Sequence, residues 1–335
     1  MNSFNMQNRI SPQVPMRALG RSAIQISALG VGCWAMGGTD WGGETDDRES
    51  LRSLQMALDL GVNFFDTADA YGGGRSERVL GQALKGKRDQ AIIATKFAWM
   101  PDPVSGQQTG GNPDSIPRAC EESLKRLMTD YIDLYQFHFN DYDPEKAPAV
   151  RDALEKLVQA GKIRYYGWST DFPDRARIFA EGSHCTAIQV ELNVIDDAPD
   201  ILEVCDEFNL AAINRGPLAM GLLTGKFKPE DRLADNDVRG PNAPGWMKYF
   251  KAGQPNPEWL SKVEAVRAIL TSGGRTLAQG AIAWLWARSE KNIPIPGFRN
   301  AKQLEENCRS LEFGPLAKDQ VEEIDRILER NKHAA

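Results

Sequence analysis

Apolar and polar positions along this chain fall into two alternating patterns. Short apolar runs of strand character occur at 29–33, 63–67, 91–96, 132–138, 163–169, 187–192, 211–215 and 292–297. Between them lie stretches with helical spacing. In the first, Leu51, Leu54 and Leu58 share one face, Asp46 followed by Glu49 predicts a capping box, and Gly61 marks the stop. Further helices are predicted at 76–85 (with Ser76 as N-cap), 114–127, 150–160, 174–180, 199–208, 258–271, 276–288, 301–308 and 317–330. Two short runs at 16–19 and 23–27, around Gly20, predict a small hairpin ahead of the first strand. A long segment at 228–257, rich in Pro and Gly and carrying Trp246, Tyr249 and Phe250, is an insertion after the seventh strand.

Eight strand–helix units in succession predict an α/β fold of the (β/α)8 TIM-barrel type, with an N-terminal hairpin, the insertion and a C-terminal helix. Two stacked four-unit halves are the alternative, but no linker or composition break divides the chain. Residues 1–15 read as a flexible tail and 16–330 as one domain. In such a barrel the chemistry belongs at the carboxyl ends of the strands.

Composition narrows the classes. A net charge of -6 offers no general attraction for nucleic acid or an anionic membrane. No apolar run approaches the roughly 18 residues of a spanning helix, and MNSFNMQNRI at the start lacks the apolar centre of a secretory signal. The five cysteines are odd in number and scattered, as expected of reduced cytoplasmic thiols. The three histidines are far apart with no Cys-x-x-Cys nearby, so no metal site is expected.

Four ionisable residues sit at three consecutive strand–loop junctions: Asp66, Tyr71 in the loop beyond it, Lys96 and His138. Asp66 and Lys96 alone would make a structural ion pair. With a phenol and an imidazole beside them they become equipment for protonating a carbonyl oxygen. The ammonium is expected to lower the phenol's pKa, the carboxylate to hold the lysine, and the imidazole to bond a substrate oxygen. No G-x-G-x-x-G follows any strand, so a Rossmann site is not expected. Side chains supply no hydride, so a cofactor is required. Its phosphates are expected at the loops after strands seven and eight, which offer Gly216, Leu218, Gly221, Thr224 and Lys226, then Gly297 and Arg299 at a helix start. Arg299 suits a 2′-phosphate, which favours NADPH over NADH. Trp34 and Trp99 are candidates to line the substrate pocket with Tyr71 and His138.

The run from Gly61 through Asp66-Thr67-Ala68-Asp69-Ala70 to Tyr71, with Glu77 and Gly81 beyond, resembles the aldo-keto reductase signature. So do Trp168-Ser169-Thr170, the QVELN segment with Gln189 and Asn193, Arg215-Gly216-Pro217-Leu218, Leu223 to Lys226, and Pro296 to Asn300 with Gln303, Glu306 and Asn307. The likeness runs from about Arg17 to Leu328, and Thr170 departs from the Asn usual there. It implies an NADPH-dependent carbonyl reductase in which Tyr71 is the acid, Asp66 and Lys96 tune it and His138 orients the carbonyl. It also implies that Ser169, Gln189 and Thr170 or Asn193 hold the nicotinamide. Gly32, Trp34, Asp66, Arg215, Pro217, Leu223, Gln303, Glu306 and Asn307 complete the implied cofactor set. Some family members act as non-catalytic, cofactor-sensing channel subunits, which is the alternative reading. A glycosidase would need two facing carboxylates, for which only Asp66 and Glu191 qualify.

Overall fold

Eight parallel strands form one sheet: β3 (Gly30–Gly32), β4 (Phe64–Asp66), β5 (Ile92–Phe97), β6 (Ile132–Phe137), β7 (Ile163–Ser169), β8 (Cys185–Glu191), β9 (Ala211–Arg215) and β12 (Asn292–Pro294). They pair in chain order, and the two end strands meet: Gly32 N–H donates to the Pro296 carbonyl at 3.1 Å and bridges in parallel to Gly297. This closes the barrel. Gly32 is required at the seam, because a Cβ there would lie 2.6 Å from the Ile295 carbonyl oxygen. The computed structural model describes residues 14–38, 40–43 and 45–330. Most of the expected tail at 1–15, and His333, lie outside the described residues.

Helices alternate with the strands: α1 (Asp47–Asp59), α2 (Arg75–Ala83), α3 (Ile116–Leu127), α4 (Ala147–Gln159), α5 (Pro173–Ala180), α6 (Pro199–Glu207), α7 (Pro257–Leu270) and α8 (Leu277–Arg288), with α9 (Ala301–Cys308) and α10 (Lys318–Ile327) at the end. Two predicted helix starts are corrected. Asp46 does cap α1, accepting from the Arg48 N–H, but Glu49 does not complete a box; it reaches across to accept from the Ala301 N–H, at the start of α9. A free amide at a distant helix terminus attracts that carboxylate. The helix α2 begins at Arg75 after Gly74 in the left-handed region, and the Ser76 hydroxyl turns inward to the Cys33 carbonyl and the Thr67 hydroxyl.

The interior is layered by the two-residue period of the strands. Phe64, Ala94, Leu134, Ala187, Ile213 and Ile293 fill the lower part, and the hairpin of β1 (Met16–Ala18) and β2 (Gln25–Ser27) adds Leu19 and Ile26 to the same cluster. The other faces of the strands pack against the helices through residues such as Phe65, Ile93, Tyr135, Phe137, Trp168 and Val190. Two positions further along the strands the interior turns polar: Asp66, Lys96, Gln136, Gln189 and Arg215.

The insertion folds back over the mouth. It contains a small hairpin, β10 (Phe250–Lys251) with β11 (Gln254–Pro255). It also pairs with the loop after β3: Trp41 bridges to Asp237, and the Val238 N–H donates to the Asp40 carbonyl at 2.6 Å.

Candidate active site

The polar layer is a single network. Lys96 is fully buried; its Nζ donates to Asp66 Oδ1 at 2.5 Å, to the Thr67 carbonyl at 2.8 Å and to the Tyr71 hydroxyl at 3.3 Å. The other oxygen of Asp66 accepts from Gln136 Nε2 at 3.0 Å and Gln189 Nε2 at 2.8 Å. Both carboxylate oxygens are therefore occupied, as a buried charge requires. Burial opposes the charge on Lys96, but Asp66 and Tyr71 outweigh it and hold its pKa above the usual lysine value. The lysine is an ammonium at any physiological pH.

Tyr71 corrects one expectation. Its pKa lies above the usual 10, because burial of the phenol outweighs the pull of the Lys96 ammonium. A phenol in that state carries its proton through neutral pH and has a donor hydrogen to give. His138 is displaced the other way: burial, then Lys96 and Arg215, push its pKa well below 6.5. It is a neutral imidazole, and its buried Nδ1 has no hydrogen-bond partner among the described residues. The rings of Tyr71 and His138 meet edge to face, with centroids 6.1 Å apart.

Aromatic residues flank this pair. Trp34 stacks on Tyr71 at 5.8 Å, and Trp246 from the insertion leans on Trp34 at 6.2 Å. On the other side the Trp99 indole N–H donates to the His138 carbonyl at 2.6 Å, and its ring stacks on Phe139 at 5.3 Å. Trp99 and Trp246 are 42% and 57% exposed, unusual for so large an apolar ring.

Beyond β9 and β12 lies a cationic patch. Arg239 N–H groups hold both oxygens of Asp237, at 2.8 and 2.7 Å, and the Met220 carbonyl at 3.0 Å, and its guanidinium lies 4.9 Å from the Trp41 ring centroid. Arg299 Nη1 donates to the Trp41 carbonyl at 2.7 Å. Partial burial, then Arg239 and Arg299, depress the pKa of Lys226. Three cations that repel one another, only Arg239 of them paired with a carboxylate among the described residues, form a fitting receptor for phosphate groups. The loop Gly216–Gly225 below them is tight, with φ positive at Gly216, Ala219, Met220 and Gly221.

The family model described as the aldo/keto reductase family matches residues 28–329. The chain belongs to the aldo/keto reductase family. It is 35% identical over 322 residues to "Aldo-keto reductase yakc [NADP(+)]" of Schizosaccharomyces pombe, covering 93% of this chain and 90% of that one. Among solved structures, the glycerol dehydrogenase from Gluconobacter oxydans superposes with a TM-score of 0.77 at 31% identity, covering 97% of each chain. An aldo-keto reductase from Klebsiella pneumoniae, solved in complex with NADPH, gives a TM-score of 0.69 at 25% identity, over 94% of this chain and 95% of that one. NADP(H), the cofactor the sequence implied, is thus named for two of these relatives.

In this aldo/keto reductase the four residues Asp66, Tyr71, Lys96 and His138 come together, as do Gln189 and Arg215. Arg215 bonds Asp171 and, at 3.2 Å, Glu191; Glu191 also lies 3.6 Å from Lys248. With Asp66 held by Lys96 and Glu191 by Arg215, the two carboxylates that glycoside cleavage would need are both engaged. The Thr170 hydroxyl donates to the Asn140 carbonyl at 2.6 Å. The Asn193 amide holds the Gly216 carbonyl and the Tyr249 hydroxyl. Both side chains brace loops. The side chain of Leu223 is buried, and Pro217 is buried and lacks an N–H, so neither offers a side-chain contact. Ser169 ends β7 and is buried, whereas Leu218, Gly221 and Thr224 stay at the rim of the loops, with the Thr224 hydroxyl donating to the Gly221 carbonyl at 2.7 Å. Gln303 accepts from the Arg299 N–H, and Asn307 donates to the exposed Gly297 carbonyl, so these two shape the turn after β12; Glu306 is partly exposed beside them.

Sequence reading missed Gln136 and Arg239. Strand alternation from Leu134 to His138 points Gln136 inward and was a sufficient signal. Arg239 lies in an irregular loop, where no periodicity marks it.

Proposed function

We propose that this aldo/keto reductase reduces aldehydes and ketones with NADPH, that planar aromatic carbonyls are its preferred class, and that it works in the cytoplasm. Lys226, Arg239 and Arg299 would hold the phosphates, and Arg299 would favour NADPH over NADH. Ser169 and Gln189 would hold the nicotinamide, with Gln189 using its carbonyl oxygen because its amide nitrogen is spent on Asp66. When bound, the reduced cofactor supplies a hydride to the carbonyl carbon.

The protein's own groups do the rest. Tyr71 gives its hydroxyl proton to the carbonyl oxygen, forming the O–H bond of the alcohol as its own is broken. Lys96 stabilises the phenolate left behind, and Asp66 keeps Lys96 charged and in place. His138, a neutral imidazole, donates one hydrogen bond to the carbonyl oxygen and fixes its direction. Trp34, Trp99 and Trp246 provide flat apolar surfaces that suit an aryl group and exclude water. The five cysteines are free and buried, which suits a reducing compartment.

The observation that carries this reading is the contact between Lys96 Nζ and the Tyr71 hydroxyl at 3.3 Å, made by an ammonium whose other partners are fixed. The test is Tyr71→Phe, assayed with NADPH and 4-nitrobenzaldehyde. Loss of kcat by about 100-fold or more is expected, with NADPH affinity within two-fold. Retained turnover would remove Tyr71 as the acid, and a wild type that fails to oxidise NADPH above background whatever carbonyl is added would point to the cofactor-sensing role instead.

A further inference from the structure

Asp69 is a buried carboxyl that the proposed reaction does not use. It lies two residues before Tyr71, in the turn that follows β4, and its own N–H donates to the Lys96 carbonyl at 3.1 Å. Its Oδ2 faces two backbone N–H groups, those of Ala98 and Met100, each at 3.4 Å. Its Oδ1 is buried and has no hydrogen-bond partner among the described residues.

The turn it faces is unusual. Ala98 adopts φ of +147°, a conformation that an L-residue rarely takes. Something must hold it there. The residue between the two bonded amides is Trp99, whose indole N–H holds the His138 carbonyl. His138 in turn takes its position from the Phe97 carbonyl through its own N–H at 2.9 Å. One carboxylate thus links the Tyr71 loop to the strained turn, to Trp99 and to His138.

Resting on the carbonyl-reductase reading above, we propose that Asp69 is a positioning residue: its carboxylate clamps the 98–100 turn, and so sets Trp99 and His138 for a bulky carbonyl, and protonation of Asp69 releases the clamp.

The surroundings support titration in the working range. The groups facing Asp69 are Glu77 and Arg126 of the α2–α3 side and Tyr135 of β6. Glu77 is itself fully buried, accepting from the Thr95 hydroxyl and from Arg126 Nε, both at 2.6 Å. Burial first, then Glu77, raise the Asp69 pKa to about 7, against the pull of the two amides and Arg126. The proton is taken up on the partnerless Oδ1, and Oδ2 becomes a weaker acceptor for both N–H groups.

The experiment is ¹⁹F NMR of the full chain carrying 5-fluorotryptophan, with the Trp99 resonance assigned by Trp99→Phe. In the wild type that resonance should move with a midpoint between about pH 6 and 8, and in Asp69→Asn it should not. In parallel, kcat/KM for 4-nitrobenzaldehyde should fall about ten-fold between pH 7.5 and 5.5 in the wild type, mainly through KM. In Asp69→Asn it should be low and flat over the same range, with a smaller loss for methylglyoxal. A Trp99 resonance that does not move in the wild type overturns the proposal, as does an Asp69→Asn profile with the wild-type inflection. The resonance needs no activity, so it decides about Asp69 even if no carbonyl is reduced, and the wild-type titration decides if the variant does not fold.

Discussion

Lys96 donates to Asp66 across two neighbouring barrel strands at 2.5 Å, both side chains pointing into the barrel and buried there. The pair is a strut. It holds the ammonium within reach of a phenol from the next loop, and the two glutamines on Asp66 keep the carboxylate from turning away.

Removing the ammonium should therefore damage both stability and activity. Lys96→Met leaves the buried carboxyl of Asp66 with only two amide donors, a loss of about 3–5 kcal/mol by analogy with broken buried pairs. Urea unfolding at pH 7 measures it. The pKa of Lys96 is raised above 10.5 in the fold, so the wild-type advantage is fully present below about 10.5 and disappears as pH rises through the folded value. An advantage that stays constant to pH 12 would mean that the pair is not the source.

The direction of the Tyr71 shift predicts the pH dependence of turnover. Because its pKa is above 10, the phenol stays protonated between about pH 7.5 and 9.5. At saturating aldehyde, kcat for reduction should be flat across that span. Alcohol oxidation needs the phenolate and should climb with pH over the same range. His138, held neutral, should add no inflection near 6.5.

Arg299 and Arg239 should separate by cofactor. Arg299→Ala, on an exposed side chain, is expected to weaken NADPH by ~10–100-fold and NADH by less than about three-fold, as loss of a charged fork to phosphate would. Arg239→Ala should weaken both, because Arg239 also ties Asp237 and the Met220 carbonyl into the insertion. Tryptophan fluorescence titration of each variant with both cofactors gives the ratios. Equal losses for Arg299→Ala would remove the 2′-phosphate contact.

Trp246 offers the most direct test of substrate class. It leans on Trp34 from the insertion and is more than half exposed, so its removal costs the fold little. Trp246→Ala should raise KM for 4-nitrobenzaldehyde about ten-fold, the value of one aromatic contact of about 1.4 kcal/mol. The change for methylglyoxal, which has no ring, should be far smaller. Parallel losses would argue that Trp246 braces the mouth and does not select the substrate.

The period of the apolar pattern was enough to read the barrel, because parallel strands buried on both faces and amphipathic helices leave different marks on a chain. Seven of the eight strands begin and end within two residues of where those marks placed them. The eighth stops at Pro294, short of Gly297, because Pro294 and Pro296 cannot donate to a ladder. Asp66, Lys96 and His138 were legible because each stands at the end of a strand, where topology alone brings residues distant in sequence to one place. Other features were decided only by the folded chain. The sign of the Tyr71 shift depends on how deeply the phenol is buried, and burial is a property of packing that neighbouring residue types do not specify. Glu49, Ser76, Thr170 and Asn193 have several local partners open to them, and which one each takes depends on what other segments bring near. Arg239 and Asp69 belong to the same class. An irregular loop and a tight turn carry no period, so their charges acquire meaning only from the groups that the barrel sets against them.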